Sequence, residues 1–262
     1  MSFLAGAKPS HEKTERIFIM PDYEIEELTN EISIAGAVVS AGYSHSVMHR
    51  FGKTEREEKF YKFDIAVPRR SDTEDVLPVV ISERFLDDVG QPSDLIGKSV
   101  QVNGDIRTYR AYDPATDRRL VNVYIFAPWG YRILSDENEV SIEENNAVML
   151  KGRVVREPKF RETRTGRLIT DLMISSNRRF RRGDTIPIVC WGPDAKVAKN
   201  FKLGDLVSID GRFQSRTFQS SKMDSPRTVY EVSAVNVRLE ENSPASKNDE
   251  RPEDNADREQ SA

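Results

Sequence analysis

The fold is decided by NAVMLKGRVVREPKFRETRTGRLITDLMISSNRRFRRGDTIPIVCW (residues 146–191) and, just after it, LGDLVSIDGRFQSRTF (203–218). Short apolar segments with period-two alternation read as strands, separated by turns. Arginines crowd those turns, and single aromatics (Phe180, Trp191, Phe218) stand beside them. A strand-rich surface carrying cations and flat rings suits an unpaired nucleic-acid strand. Its phosphates need positive charge and its exposed bases need a platform.

Working outward, the same order of elements occurs earlier in the chain. DVLPVVIS (75–82) parallels DTIPIVCW (184–191) at an offset of 109, and IGKSVQVNG (96–104) parallels LGDLVSIDG (203–211) at 107. Gly36 parallels Gly152 at 116. Three matches in the same order imply an internal duplication whose copies differ in loop length. In the first copy, strands are expected at 31–40, 60–67, 75–82, 99–109 and 120–127. The polar stretch 41–59 is expected as an extended hairpin or loop, and 83–95 as a short helix interrupted by Gly90 and Pro92. In the second copy, strands are expected at 148–155, 168–176, 185–191, 206–217 and 229–238. A basic hairpin loop is expected at 156–167 and two helical turns at 194–201.

Five strands with a short helix between the third and fourth, and glycine bends in strands one and four, describe an OB-fold, a small Greek-key barrel. The expected class is therefore all-β with short helices: two tandem OB-fold five-stranded barrels and a disordered acidic C-terminal tail. The expected boundaries are an N-terminal extension (1–28), a first, divergent barrel (29–128), a linker (129–145), a second barrel (146–239) and the tail (240–262). A further short strand is expected at Arg16 to Met20. Trp129, in the linker, is expected to pack.

The net charge of −4 averages unlike segments. Residues 1–145 carry −9, residues 146–239 carry +10 and residues 240–262 carry −5. A polyanion partner is thus assigned to the second barrel. The loop REPKFRETRTGR contributes Arg156, Lys159, Arg161, Arg164 and Arg167. NRRFRRG contributes Arg178, Arg179, Arg181 and Arg182 around Phe180. Arg153, on the opening strand, and Arg212 and Arg216, before Phe218, complete the set. Arginine suits the role because its planar fork pairs with phosphate and stacks on bases.

Other classes are poorly served. No apolar run reaches the roughly 18 residues of a membrane span, and the start, MSFLAGAKPSHEK, lacks a signal-peptide pattern. Cys190 is the single cysteine, so no intrachain disulfide exists, which fits a cytoplasmic protein. Within IPIVCW it reads as a buried thiol. His45 and His49, in HSVMH, have metal-ligand spacing but no adjacent catalytic Glu, and His11 stands apart. No metal, no cofactor and no enzymatic activity are expected. An RNA-binding or protein-interaction module, and less so an OB-fold nuclease, are the alternatives.

Residues 146–238 resemble the bacterial single-stranded DNA-binding protein family. The similarity is carried by KGRVVREPKFRETRTGR, ISSNRRF, IVCW, KNFKLGDLVSIDGRFQSRTF and VYEVSAVNV. It implies non-catalytic, sequence-tolerant binding of single-stranded DNA in replication, recombination or repair, and stacking positions at Phe180, Trp191 and Phe218. A further stacking aromatic would fall near Thr185 and is missing. In the first copy the three positions become Ser71, Ser82 and Ala111. That barrel is therefore expected to bind weakly or to serve in assembly, unless Tyr109, Tyr112, Arg69, Arg70, Arg107 and Arg110 compensate. The family commonly ends in an acidic tip with an apolar anchor that docks partner proteins. Here the end reads ADREQSA, which puts that route in doubt. Four barrels by homodimerisation is the assembly that the resemblance implies.

Overall fold

The computed structural model describes residues 28–52, 54–113, 118–136, 139–177, 183–218 and 226–240. The expected strand at 16–20, the basic cluster 178–182 and the tail from 241 onward lie outside them.

The first five strands are β1 (Asn30–Phe51), β2 (Thr54–Pro68), β3 (Glu74–Ser82), β4 (Ser99–Asp113) and β5 (Arg118–Ala127). Hydrogen-bond ladders run β1–β2, β2–β3, β3–β5 (parallel), β5–β4 and β4–β1, which closes a ring. A two-residue strand, β6 (Arg132–Ile133), adds to the edge of β4. The next strands are β7 (Asn146–Glu162), β8 (Leu168–Asn177), β9 (Gly183–Trp191), β10 (Leu206–Phe218) and β11 (Arg227–Leu239). They pair β7–β8, β8–β9, β9–β11 (parallel), β11–β10 and β10–β7, a second ring of the same order.

Alternation fills each interior. Leu77, Val79 and Ile81 of β3 point into ring one, and Ile186, Ile188 and Cys190 of β9 into ring two; all six are buried. Burial pushes the Cys190 thiol up to about 12, with the carboxylates of Asp194 and Asp171 adding to the effect. Helix α1 (Gly192–Ala198) plugs one end of ring two. Ala195 and Ala198 face inward, and the Thr170 hydroxyl donates to the Ala195 carbonyl at 2.7 Å. The helix expected at 83–95 is instead three separate 3-10 turns, Glu83–Phe85, Asp87–Val89 and Pro92–Leu95. Gly90 adopts φ 70°, and a proline follows two residues later, so no continuous helix can form.

The extended hairpin expected at 41–59 is present, and part of the expected basic loop is strand. β1 and β2 stay paired to Phe51 and Thr54, with register shifts between Val38 and Ser40 and between Tyr43 and His45, so 41–59 is a long two-stranded arm. The basic segment 156–162 belongs to β7, and only 163–167 turns. Trp129 does not pack. It is 80 % exposed, on a turn where Gly130 takes φ 76° and lies against the Phe85 ring, directing the indole outward.

The rings meet through an antiparallel ladder of β1 and β7: Asn30 opposite Leu150, Ile32 opposite Val148, Ile34 opposite Asn146. Ile32 and Val148 differ by 116, the Gly36–Gly152 offset, so matching positions face one another. The side-chain bonds repeat in the same way. Asn30 exchanges two bonds with the backbone of Ile106, at 2.8 and 2.9 Å, and Asn146 does so with Phe213, at 2.7 and 2.9 Å. Asp75 accepts from the Ser215 N–H at 2.7 Å, and Asp184 from the Thr108 N–H at 2.6 Å. Each of these last two bonds joins one ring to the other.

The glycine bends have a steric cause. A Cβ on Gly36 would run into the Ala66 carbonyl of β2, and one on Gly152 would come within 2.6 Å of the Ser175 carbonyl. Gly36→Ala is therefore expected to destabilise the chain by about 1–3 kcal/mol through overpacking. Calorimetry checks this, and an unchanged melting temperature would remove the steric explanation.

Candidate nucleic-acid interface

Trp191 ends β9, opposite Ile169 of β8, and Arg161 of β7 lies opposite Ile169 in turn. The three share the outer face of ring two. The indole N–H donates to the Ser233 hydroxyl of β11 at 3.2 Å, which fixes the ring plane, yet the side chain stays 37 % exposed. Beside it opens a cleft of about 570 Å³ lined by Arg167, Leu168, Pro193 and Lys196 among others. An aromatic face with two cations at its rim matches what a base and its phosphate require.

The remaining residues named from sequence fall into distinct groups. Arg161 pairs with Asp171 at 3.1 Å, and hydrogen bonding to that carboxylate raises its pKa. Arg156, Lys159 and Arg164 are exposed along the β7–β8 hairpin that carries Arg161 and Arg167. Arg216 and Phe218 lie at the far end of β10. The Arg216 guanidinium sits 5.6 Å from the Phe218 ring centroid and pairs with Glu231 at 3.3 Å. Phe218 is 36 % exposed but is not brought to Trp191. Ser233, next to Trp191, is opposite Arg212, and Phe218 is six residues further along β10, on the order of 20 Å away. Trp191 and Phe218 therefore mark the two ends of a surface rather than one pocket. Arg178, Arg179, Phe180, Arg181 and Arg182 lie outside the described residues.

Two cations are engaged by the framework. The Arg153 guanidinium donates to the Gly204 carbonyl at 2.6 Å. Arg212 reaches the Pro68 carbonyl at 3.4 Å and the Asn145 side-chain oxygen at 3.3 Å, tying ring two to ring one and the connecting segment. Burial lowers its pKa, with Arg69 and Arg70 nearby adding to that effect. These contacts place Arg212 at a junction between the rings.

Two residues escaped the sequence reading. Phe160 on β7 is exposed, with the Lys199 ammonium 5.1 Å from its ring centroid. Its signal was a lone apolar residue between Lys159 and Arg161. Lys196, on α1, reaches the Trp191 cleft only because the helix folds back there. The histidine pair is accounted for structurally. His45 stacks on Phe60 and His49 bonds to Glu58 at 2.7 Å. Among the described residues no group of three or more His, Cys, Asp or Glu is arranged to hold a metal. None of their helices is long and apolar enough to cross a membrane.

Known proteins resemble this chain in sequence and in fold. Residues 145–240 match the description of the single-strand binding protein family. Single-stranded DNA-binding protein 2 of Listeria innocua is 36 % identical over 102 residues, covering 36 % of this chain and 63 % of that protein. Single-stranded DNA-binding protein 3 of Clostridium acetobutylicum is 33 % identical over 101 residues, covering 36 % of this chain and 69 % of that one. The crystal structure of the wild-type single-stranded DNA binding protein from Thermus aquaticus superposes with a TM-score of 0.59 at 17 % identity. That alignment covers 84 % of this chain and 96 % of the other, a likeness of fold. With an exposed indole beside a cationic cleft, and a relative matched over more than two thirds of its length, the chain belongs to the single-strand binding protein family.

Proposed function

We propose that this protein binds single-stranded DNA largely without sequence preference, as a non-catalytic component of replication, recombination and repair. The observation that carries this is Trp191: an indole pinned by Ser233, open on one side, with Arg167 and Lys196 at the rim of its cleft. Bases stack on the indole while Arg156, Lys159, Arg161 and Arg164 meet phosphates along the β7–β8 hairpin. Arg216 and Phe218 extend the surface along β10, and Phe160 and Lys199 flank it. Arg153 and Arg212 hold the framework that presents these groups. The exposed cations supply a sequence-independent term, and the rings accept any base.

We further infer that residues 29–128 and 146–239 are two copies of one OB unit, joined by 129–145. The reciprocal Asp75–Ser215 and Asp184–Thr108 bonds support this. Pairing of two chains would give four rings, in a cytoplasmic complex on DNA, and sedimentation at the mass of two chains tests the assembly.

The function is tested by titrating oligo-dT, the matching RNA and a duplex at several salt concentrations, following tryptophan emission. Oligo-dT is expected to bind far more tightly than duplex. Its log affinity should fall with log salt at a slope of about −0.7 per neutralised phosphate. Equal affinity for duplex, or indifference to salt, would overturn the proposal; preference for RNA would move it to the other nucleic acid.

A further inference from the structure

We propose that the free edge of the β1 arm pairs with the same edge of a second copy, joining molecules seated side by side on one DNA strand. The contact is separate from the pairing of chains that would bring four rings together. Its place on DNA rests on the single-strand reading above.

Beyond ring one, β1 and β2 keep a regular register from His45 opposite Phe60 to Phe51 opposite Thr54. β3 leaves β2 at Phe60, and β4 and β7 pair with β1 no further than Ala37. Among the described residues no other strand covers either edge of the arm. One contact fixes the hydrogen-bonding phase. The Lys59 N–H donates away from β1, to the Glu83 carboxylate at 3.0 Å. Lys59 and Ser46 are thus a wide pair of the antiparallel ladder, and so, in alternation, are Glu57 with Met48 and Glu55 with Arg50. Ser46, Met48 and Arg50 therefore direct their N–H and C=O groups to the outer edge of β1.

The two edges differ. On β2 the corresponding residues are Lys59, Glu57 and Glu55, and Glu83 already caps one N–H, so charge and a carboxylate guard that edge. In ring two, β7 carries Arg156, Lys159 and Arg161 along the equivalent hairpin. The β1 edge has no such guard. Ser46 and Met48 are uncharged, Met48 is 53 % exposed, and Arg50 is paired with Glu55 at 2.7 Å. An open edge of this kind is a template for another strand.

A second copy fits because the edge complements itself. Set antiparallel about Met48, two β1 strands place Ser46 opposite Arg50, Val47 opposite His49 and Met48 opposite Met48. Each outward N–H and C=O of those residues then meets a partner, the exposed Met48 side chains meet, and Arg50 faces no like charge. The same strand already makes a contact of this type, since Asn30 to Ile34 pair antiparallel with β7, their counterpart in ring two. So short a ladder is weak between free molecules and gains from the high effective concentration of neighbours on one DNA strand.

The test uses the full chain, which is expected to bind poly-dT cooperatively. Met48→Cys should form an intermolecular disulfide under mild oxidation on poly-dT, because Cα atoms of such a pair lie about 5.5 Å apart. Glu57→Cys, on the guarded edge, should not. Cys190 does not compete, being buried with its thiol pushed up to about 12. Met48→Lys and Met48→Glu should each lower cooperativity about tenfold, since like charges then oppose each other across the two-fold axis. An equimolar mixture of the two should restore it. Melting temperature and affinity for oligomers that span one molecule should stay unchanged, because Met48 is exposed. No crosslink at position 48, or single variants as cooperative as the wild type, would overturn the inference and leave the single-strand reading standing. Loss of cooperativity without recovery on mixing would overturn it in favour of a different patch of the neighbour. Weaker binding of short oligomers would assign the arm to DNA instead. A wild-type chain that fails to bind oligo-dT would remove both.

Discussion

Trp191→Ala is expected to weaken oligo-dT binding by about ten- to a hundredfold, since stacking contributes about 1–3 kcal/mol per base. The chain has two tryptophans. Trp129, on the Pro128–Gly130 turn, will be the only one left, so emission quenching by DNA should largely disappear in the variant. Trp191→Phe retains a flat ring and should keep much of the affinity. Thermal stability should change little, because the indole is over a third exposed and its bond to Ser233 lies near solvent. The reverse pattern, a lower melting temperature with unaltered DNA affinity, would assign Trp191 to packing and remove the central group of the proposed surface.

Which features are legible in the sequence follows from where each side chain gets its surroundings. Strands inside the rings announce themselves because one face must be apolar; Leu77, Val79 and Ile81, or Ile186, Ile188 and Cys190, show that pattern directly. Beyond the rings that constraint lapses. The arm of β1 and β2 carries Ser44, Ser46, His49, Glu55 and Glu57, and β7 carries Arg156 and Lys159, so continuing strands resemble loops. Cations were visible as cations, but their partners are distant in sequence. Arg212 meets Pro68, 144 residues earlier, and no local pattern separates it from an exposed arginine such as Arg164. The basic stretch around Phe160 drew attention to charge and hid the ring. Trp129 is the opposite case, since a glycine in a left-handed conformation overrides the tendency of a large aromatic to pack. Asp75 and Asp184 begin strands and look like turn residues, and only the ring-to-ring geometry buries them.

That geometry makes Asp75→Ala the substitution expected to cost most in stability. The Asp75 side chain is 1 % exposed. It accepts from Arg69 Nε at 2.7 Å and from the Ser215 N–H at 2.7 Å, while Arg69 Nη2 donates to the Ser215 carbonyl at 3.0 Å. Removing the carboxylate leaves a partly buried guanidinium without its counter-charge and an N–H of β10 without its acceptor. Loss of one partner of such a pair costs about 3–5 kcal/mol, and urea unfolding followed by circular dichroism would measure it. Asp75→Asn keeps an acceptor for Ser215 and should lose less. The hydrogen bond to Asp75 raises the Arg69 pKa above its ordinary value. A base raised on folding stabilises at every pH below its unfolded value, so this contribution stays constant through the neutral range and fades only in strong alkali. Screening by salt should also be weak, because the carboxylate is shielded from solvent. The DNA surface shares the consequence: Ser215 adjoins Arg216 and lies three residues before Phe218, so freeing this end of β10 should lower affinity for long oligomers more than for short ones bound at Trp191. A variant that loses less than about 1 kcal/mol would mean that the rings are held chiefly by the β1–β7 ladder and not by the buried carboxylate.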